Sequence, residues 1–241
     1  MQKKNHKSIY VAYILGDLAE LQIDQNKLKK AEENYQKALN ILREFANNNS
    51  NHYKLELAKT LLAIGVIYKD QNKYKKSQDT LQEALTVYRK MPNKDHTYFS
   101  KIAAILHYLG TINLSQNQFK KAEKYFIESL GYFRKIYKEY PQVYINELSL
   151  GHLNLSLFYL NYSPNQQLSL QHVETVIQNY ALLKDNAEIQ RDIQKALKIN
   201  NEILAGYDPL GETLNHLETA FVLLQAWNIN PEQYFKEKFG A

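Results

Sequence analysis

Residues 25–39 read QNKLKKAEENYQKAL, and the same pattern returns as QNKYKKSQDTLQEAL at residues 71–85 and as QNQFKKAEKYFIESL at residues 116–130. Successive copies begin 46 and 45 residues apart. Self-similarity with a period of roughly 20 to 50 residues is typical of proteins built from stacked structural units. Within each copy the small and large apolar residues recur at helical spacing. The repeat therefore predicts a helical solenoid.

The composition also favours long helices. The chain has 241 residues, 44% of them apolar, and it contains only 8 Gly and 5 Pro. Because both residues interrupt regular structure, their scarcity favours uninterrupted helices over sheets and turns. Cysteine is absent. Its absence excludes a disulfide framework, a thiolate metal site and a cysteine nucleophile.

The charge pattern is that of a mixed surface. The formal net charge is +5, but 30 basic residues are interleaved with 25 acidic ones. Such mixing is typical of a salt-bridged surface rather than of a nucleic-acid interface. Only four of the basic residues are arginines, the side chain whose forked geometry suits phosphate and base recognition. We therefore do not expect a nucleic acid as the partner.

No targeting or membrane segment is expected. No stretch approaches the roughly 20 apolar residues that a bilayer-spanning helix needs. The apolar run at residues 9–16 follows three lysines, but it is short, Asp17 ends it, and no small-residue cleavage site follows. Together with the absence of cysteine, these features predict a cytoplasmic location without a membrane partner.

Each repeat is expected to form a helix, a tight turn at Gln-Asn and a second helix. The helices are predicted at residues 7–24 and 27–46, at 52–70 and 73–90, and at 96–114 and 119–140. Asp95 is expected to cap the fifth helix after the break at Pro92. A fourth, degenerate unit is predicted at 146–162 and 166–184, with Ser163 as the cap of its second helix and Pro164 at the first helical position. The four units span about residues 7–47, 52–91, 95–140 and 142–184.

The C-terminal quarter shows no clear repeat. Helices are predicted at residues 188–204 and 208–228, with a break at Gly206, and a short last helix is predicted from Asn230-Pro231. Residues 220–227 (AFVLLQAW) are apolar nearly all round, so their helix must be buried against the fourth unit or in a partner. Because a solenoid needs a cap over its last open face, we expect a repeat array at 1–184 and capping helices at 185–241. In the alternative, a homo-oligomer forms through Phe221, Leu224 and Trp227.

The spacing within each unit resembles the tetratricopeptide repeat. That family has Leu-Gly, an aromatic, a small residue, a large residue and Ala at fixed offsets. The second unit matches with Leu61, Ile64, Gly65, Tyr68, Ser77, Leu81 and Ala84. The small residues are expected where paired helices cross most closely, and the large ones between neighbouring units. The resemblance implies an all-α, right-handed superhelical solenoid of helix-turn-helix repeats with a helical C-terminal cap.

Two departures from the family pattern limit what the resemblance implies. The period is about 45 residues rather than about 34, which lengthens each helix by about 8 Å at the α-helical rise. Family members that clamp the carboxylate of chaperone tails use an Asn directly after the Gly of the first helix. The matching positions here are Glu20, Val66 and Thr111, so a chaperone-tail clamp is not expected.

The resemblance also implies a ligand groove on the concave face, lined by the first helix of each unit. Its expected residues are Tyr13, Gly16, Glu20, Lys59, Leu62, Val66, Lys69, Ala104, His107, Thr111 and Leu114. This mixture of lysine, aliphatic and aromatic residues suits an amphipathic or acidic peptide. The fourth unit would contribute the more apolar Leu150, Leu153, Leu157 and Leu160, covered either by the C-terminal helices or by an apolar helix of a partner.

No constellation of residues indicates catalysis. The seven histidines are scattered without zinc-ligand spacing. His216-Leu217-Glu218 is half of a metal motif with nothing to complete it, and the glycines at 206 and 211 lack the Lys-Ser/Thr of a phosphate loop. The chain is therefore expected to be no enzyme and to need neither metal nor cofactor.

We expect a non-catalytic scaffold or regulatory subunit that binds a protein or peptide segment in the groove. One alternative is a peptide-signal sensor of a bacterial regulatory system. Another is a nucleic-acid-binding helical repeat, because Lys29-Lys30, Lys75-Lys76 and Lys120-Lys121 recur in register, as do Arg43, Arg89 and Arg134. We interpret these residues first as solvated helix faces paired with neighbouring glutamates.

Overall fold

A computed structural model describes residues 2–47, 51–92, 95–181, 186–197 and 216–239. These residues form eleven α-helices, and no strand occurs among them. The chain divides into two compact units at residues 118 and 119, and each unit is described by itself. Most helices that follow one another within a unit pack against each other. The protein therefore has the predicted all-α, solenoid-type fold.

The first unit contains five helices, which are α1 (Gln2–Asp24), α2 (Leu28–Ala46), α3 (Asn51–Asp70), α4 (Tyr74–Lys90) and α5 (His96–Ser115). Helix α3 packs between α2 and α4, and α5 packs against α4 and touches α3. These bounds agree with the predicted helices to within a few residues. The exception is the start of α1, which lies five residues before the predicted one.

The predicted Gln-Asn turns share one backbone conformation. Asn26, Asn72 and Asn117 have φ values of 56°, 58° and 58°. Asparagine adopts this left-handed region more readily than other residues with a Cβ. At the first turn, the N–H of Lys27 donates to the Gln22 carbonyl (2.7 Å) and that of Asn26 to the Ile23 carbonyl (2.7 Å). These two hydrogen bonds satisfy carbonyl groups at the end of the helix, which explains why the Gln-Asn turn recurs.

Small residues allow a close helix crossing in the second repeat, as predicted. A Cβ added to Gly65 would lie 2.7 Å from Cγ of Leu81, and Leu81 is fully buried. The Ser77 hydroxyl donates to the Gly65 carbonyl oxygen at 2.6 Å. Gly65 and Ser77 therefore hold α3 and α4 at a distance that a larger residue at 65 would prevent.

The predicted cap of α5 is confirmed. The Asp95 carboxylate accepts hydrogen bonds from the backbone N–H groups of Thr97 and Tyr98 and from the Thr97 hydroxyl. These bonds, above all the one from the Thr97 hydroxyl, lower the pKa of the Asp95 carboxyl. The charged carboxylate thus stabilises the amino-terminal end of the helix.

The second unit contains six described helices, which are α6 (Phe119–Tyr137), α7 (Pro141–Asn161), α8 (Gln166–Ala181), α9 (Asn186–Leu197), α10 (His216–Ala226) and α11 (Pro231–Phe239). Helix α7 packs against α6 and α8, and α10 packs against α7, α8, α9 and α11. The predicted break at Gly206 and the predicted helix start at Asp208 lie outside the described residues.

Two predicted helix boundaries in the second unit are wrong. Helix α6 ends at Tyr137 rather than near residue 140, and α7 begins at Pro141, five residues before the predicted start. Proline is favourable in the first turn of a helix because its missing N–H is not needed there. The cap of α8 is Asn165, whose side-chain oxygen accepts from the Leu168 N–H at 3.1 Å. The helix begins at Gln166, as its predicted span has it, but Ser163 is not its cap and Pro164 is not its first residue.

The C-terminal helices cover the apolar side of the fourth repeat, which is the capping alternative of the sequence prediction. Phe221 and Leu224 are fully buried in a core that includes Leu153, with Leu157 and Leu160 packed against it. The Trp227 indole N–H donates to the Ser169 hydroxyl at 2.9 Å. Phe221 and Leu224 are thus buried within the unit, and the alternative of a homo-oligomer through this helix stays a prediction. The division into an array at 1–184 and a cap at 185–241 stays a prediction.

Candidate functional site

A cleft of about 180 Å³ lies between α1 and α3 over the buried side of α2. Four residues of the predicted groove line it, namely Tyr13, Gly16, Glu20 and Lys59. The remaining lining residues are Ala12, Asp17, Tyr35, Leu42, Glu56, Thr60 and Ala63. The structure therefore brings part of the predicted site into one cavity.

Helical spacing explains how the two walls form. On α1 the lining residues Gly16 and Asp17 each lie three or four residues from Tyr13 and from Glu20. On α3 Lys59 and Thr60 have the same spacing from Glu56 and from Ala63. Residues with this spacing share one face of a helix. Each wall is therefore a single helix face.

The floor and the middle of the cleft are open and apolar. Ala12, Tyr35 and Leu42 are buried beneath it. A Cβ added to Gly16 would meet no atom within 4 Å, so the missing side chain adds space at the cleft wall. A ligand side chain can therefore approach the helix backbone at Gly16.

Several polar side chains of the two cleft walls are held by hydrogen bonds or an ion pair. The Tyr13 hydroxyl lies 2.9 Å from Nε2 of His52, and burial, followed by the charge of Glu56, raises the Tyr13 pKa. Lys59 Nζ lies 2.8 Å from the Glu56 carboxylate, and the Thr60 hydroxyl donates to the Glu56 carbonyl at 2.9 Å. The contacts of Lys59 and Thr60 hold the polar side chains of the α3 wall in place. The α1 wall carries the carboxylates of Asp17 and Glu20.

The cleft carries an excess of negative charge. Its lining contains three carboxylates, of Asp17, Glu20 and Glu56, and a single lysine that is already paired with Glu56. Burial, followed by the charges of Glu20 and Asp17, raises the pKa of the Tyr35 hydroxyl on the cleft floor. Of the amphipathic or acidic peptide expected from the sequence, an acidic one does not match the charge of this lining.

The other groove residues predicted for the second and third units lie on α3 and α5 outside this cleft. All seven are half-buried, namely Leu62, Val66, Lys69, Ala104, His107, Thr111 and Leu114. Lys69 Nζ contacts Asp70 at 2.9 Å and lies 5.5 Å from the centre of the Tyr108 ring. Burial, followed by the charge of Lys69, lowers the pKa of His107 to about 4. Lys69 is therefore engaged within the protein, and His107 is neutral near pH 7.

The sequence prediction missed Asp17 and Glu56. Asp17 lies one helical turn after Tyr13, and Glu56 lies three residues before Lys59. Helical spacing from the predicted groove residues could have found both. The pairing of Lys59 with Glu56 occupies the lysine of the cleft lining, and it depends on side-chain conformations that the repeat pattern does not specify.

Two of the recurring basic residues of the first unit, Arg43 and Lys75, are paired with acidic neighbours, as is the nearby Lys73. Arg43 contacts Glu83 at 2.8 Å, Lys73 contacts Glu32 at 2.9 Å and Lys75 contacts Asp79 at 3.1 Å. The first two pairs join α2 to α4. This arrangement supports the interpretation of these residues as solvated, paired helix faces.

Other classes of site find no support in the described part of the chain. Its His, Asp and Glu side chains form no group of three or more suited to a metal ion. None of its helices combines the length and the apolar character that crossing a bilayer requires.

Comparison with known proteins identifies the repeats. The family model of the tetratricopeptide repeat matches residues 12–42 and 58–91. Among solved structures, BtubC (BKLC) from P. vanneervenii is similar with a TM-score of 0.57 and 17% identity, over 96% of this chain and 90% of that one. No curated protein sequence matches this chain.

A second similar structure is the Rap conjugation gene regulator of the plasmid pLS20, solved in complex with the Phr* peptide. The TM-score is 0.56 and the identity 15%, and the match covers 98% of this chain but only 56% of that one. At these identities the two likenesses concern the fold. The family match and the fold together identify residues 12–42 and 58–91 as tetratricopeptide repeats.

Proposed function

We propose that this protein is a non-catalytic interaction subunit that binds a segment of another protein, or a free peptide, in the cleft between α1 and α3. The observation that carries the proposal is the convergence of Tyr13, Gly16, Glu20 and Lys59, all groove positions of the repeat, on one open cavity. The peptide bound by the similarly folded Rap regulator supports a ligand of this class.

The lining residues indicate the chemistry of the ligand. Asp17 and Glu20 lie on one wall without a lysine or arginine among the lining residues of that wall. The cavity between them and Ala12 has room for a small apolar side chain beside Gly16. We infer that the segment carries a lysine, an arginine or a free amino terminus next to an apolar residue.

A peptide-signal sensor is the second candidate function. It is favoured by the similarity over 98% of this chain to a regulator solved with a peptide. In both candidates the same cleft receives the peptide, so one binding experiment tests their shared basis. In the sensor, binding would also change the contacts of an effector.

The experiment is selection of peptides from a random display library on the immobilised chain, followed by calorimetric titration of the enriched sequences. We expect enrichment of peptides with a basic residue beside an apolar one. The Glu20→Lys variant should weaken binding by about tenfold or more, which corresponds to about 1.4 kcal/mol, because it places a cation where the ligand's cation binds.

The matched control is Glu33→Lys, which makes the same charge change at an exposed position of α2 outside the cleft. It should leave the affinity within about twofold of the wild type. Equal weakening by both variants would reduce the effect to net charge and contradict the proposal. Failure to enrich any peptide would contradict it as well.

A further inference from the structure

Helix α1 exposes a stripe of large apolar side chains on the side away from the first unit's core. Tyr10, Val11, Ile14, Leu18 and Leu21 are exposed by 61%, 47%, 64%, 40% and 52%. Their spacing of three, four and seven residues places them on one helix face. An apolar patch of this kind marks an interaction surface more often than a set of scattered apolar residues does.

The repeat shows that this face is of a type that another helix covers. Val11, Ile14, Leu18 and Leu21 correspond, 46 residues later, to Leu57, Thr60, Ile64 and Ile67 of α3. All four of the α3 residues are buried, with exposed fractions between 0% and 9%. Helix α3 packs against both α2 and α4, whereas α1 packs against α2. The α1 stripe therefore has the composition of a helix–helix interface.

The α1 sequence also divides by charge along its length. It contains Lys3, Lys4 and Lys7 near its start and Asp17 and Asp24 near its end. Two such helices packed antiparallel bring the basic end of one beside the acidic end of the other. Parallel packing would bring like charges together. The helix is therefore complementary to an antiparallel copy of itself.

We propose that two copies of this chain associate through their α1 helices, packed antiparallel about a two-fold axis near Ile14. A two-fold contact uses the same patch on both partners, and Ile14, the most exposed residue of the stripe, lies near its middle. About this axis Tyr10 of one copy lies opposite Leu18 of the other. This proposal places self-association at α1, rather than at the helix of Phe221 and Trp227 that the sequence suggested.

The absence of cysteine from the chain makes single-cysteine cross-linking a direct test. A disulfide requires two Cα atoms within about 7 Å. The Ile14→Cys variant should form a disulfide-linked dimer under mild oxidation. Leu21→Cys should not, because two copies of position 21 lie about 21 Å apart along an antiparallel pair centred on position 14. Ile127→Cys, at a similarly exposed apolar residue of α6, is the control for random collision.

Sedimentation provides the second measurement. The wild type should be a dimer at concentrations up to about 100 μM. The Ile14→Glu/Leu18→Glu variant should be a monomer with an unchanged circular dichroism spectrum, and Ile127→Glu should remain a dimer. A monomeric wild type, which would leave the stripe to a different partner, overturns the proposal. So does cross-linking of Leu21→Cys or Ile127→Cys as fast as that of Ile14→Cys.

Discussion

The close crossing of α3 and α4 requires that residue 65 has no Cβ atom. Any Cβ there would meet Cγ and Cδ2 of Leu81 at 2.7 Å. Leu81 is fully buried, so it has little room to move aside. Gly131 on α6 is the opposite case, because a Cβ added to it would meet no atom within 4 Å. The two positions separate the packing cost of a methyl group from its effect on helix propensity.

We expect Gly65→Ala to destabilise the protein relative to Gly131→Ala. Both changes gain the same helix propensity, up to about 1 kcal/mol. Only the first adds an overpacking cost of about 1–3 kcal/mol. Urea unfolding of the two variants measures the difference. Equal free energies of unfolding would show that α3 and α4 separate easily, contrary to this account.

A buried histidine pair lies between α7 and α8. Nδ1 of His152 lies 2.9 Å from Nδ1 of His172, and the His172 ring stacks on Tyr159 with an interplanar angle of 5°. Burial, followed by the charges of His172 and Arg134, lowers the pKa of His152 to about 3. Burial, followed by the charge of Arg134, lowers that of His172 to about 4. Both rings are therefore neutral in the folded protein near pH 7.

This pair should make the stability depend on pH below neutrality. The ordinary histidine pKa of about 6.5 applies to the unfolded chain. Between pH 6.5 and about 4 the unfolded chain binds more protons than the folded one, so stability falls as the pH falls. For His172 the loss is on the order of 3 kcal/mol over that range. Well above pH 6.5, where the histidines of the unfolded chain are neutral as well, the pair contributes no pH dependence.

The measurement is the free energy of unfolding between pH 4 and 7 for the wild type and for His152→Gln/His172→Gln. The variant keeps hydrogen-bonding side chains without a titrating ring, so its stability should fall less steeply with decreasing pH. Parallel profiles for the two proteins would contradict the assignment of a neutral, buried pair.

Helix caps are the feature at which the sequence prediction is right for one element and wrong for the next. Asp95 caps α5 as predicted, because a single acidic residue stands directly before the helix. Before α8 the sequence offers Ser163, Pro164 and Asn165 in a row. Serine and asparagine are both favourable caps, so composition alone does not choose between them. In the structure it is the Asn165 side chain that accepts the capping hydrogen bond.

Replacement of the two candidate caps should distinguish them. Asn165→Ala removes the acceptor of the Leu168 N–H bond and should lower the stability by about 1 kcal/mol. Ser163→Ala should change it by no more than about 0.5 kcal/mol, as for a surface substitution. Thermal unfolding of both variants measures the difference. A larger effect of Ser163→Ala would restore the cap expected from the sequence.

At the scale of the whole molecule, the sequence predicts most of the architecture because the repeat occurs in it three times. The Gln-Asn turns and the small residues at Gly65 and Ser77 were identifiable from their positions alone. The burial of residues 220–227 was also predictable, because their helix is apolar nearly all round. That the covering elements are α7, α8, α9 and α11 depends on the tertiary packing.

The candidate site is less predictable than the fold. The repeat register placed Tyr13, Glu20 and Lys59 on the groove side, and one cleft contains all three. The sequence suggested a groove of mixed lysine, aliphatic and aromatic residues, whereas the structure pairs Lys59 with Glu56 and Lys69 with Asp70. Which lysines are free to meet a ligand depends on these contacts, which neither composition nor periodicity specifies.

The most direct test of the central proposal is photo-cross-linking of a selected peptide that carries a benzophenone side chain, with mass-spectrometric mapping of the attachment points. We expect attachment to residues 12–20 of α1 and 56–63 of α3, which form the cleft walls, and loss of this attachment in the Glu20→Lys variant. Attachment mainly to the outer faces of α2 and α4, around Lys29 or Lys75, would contradict it.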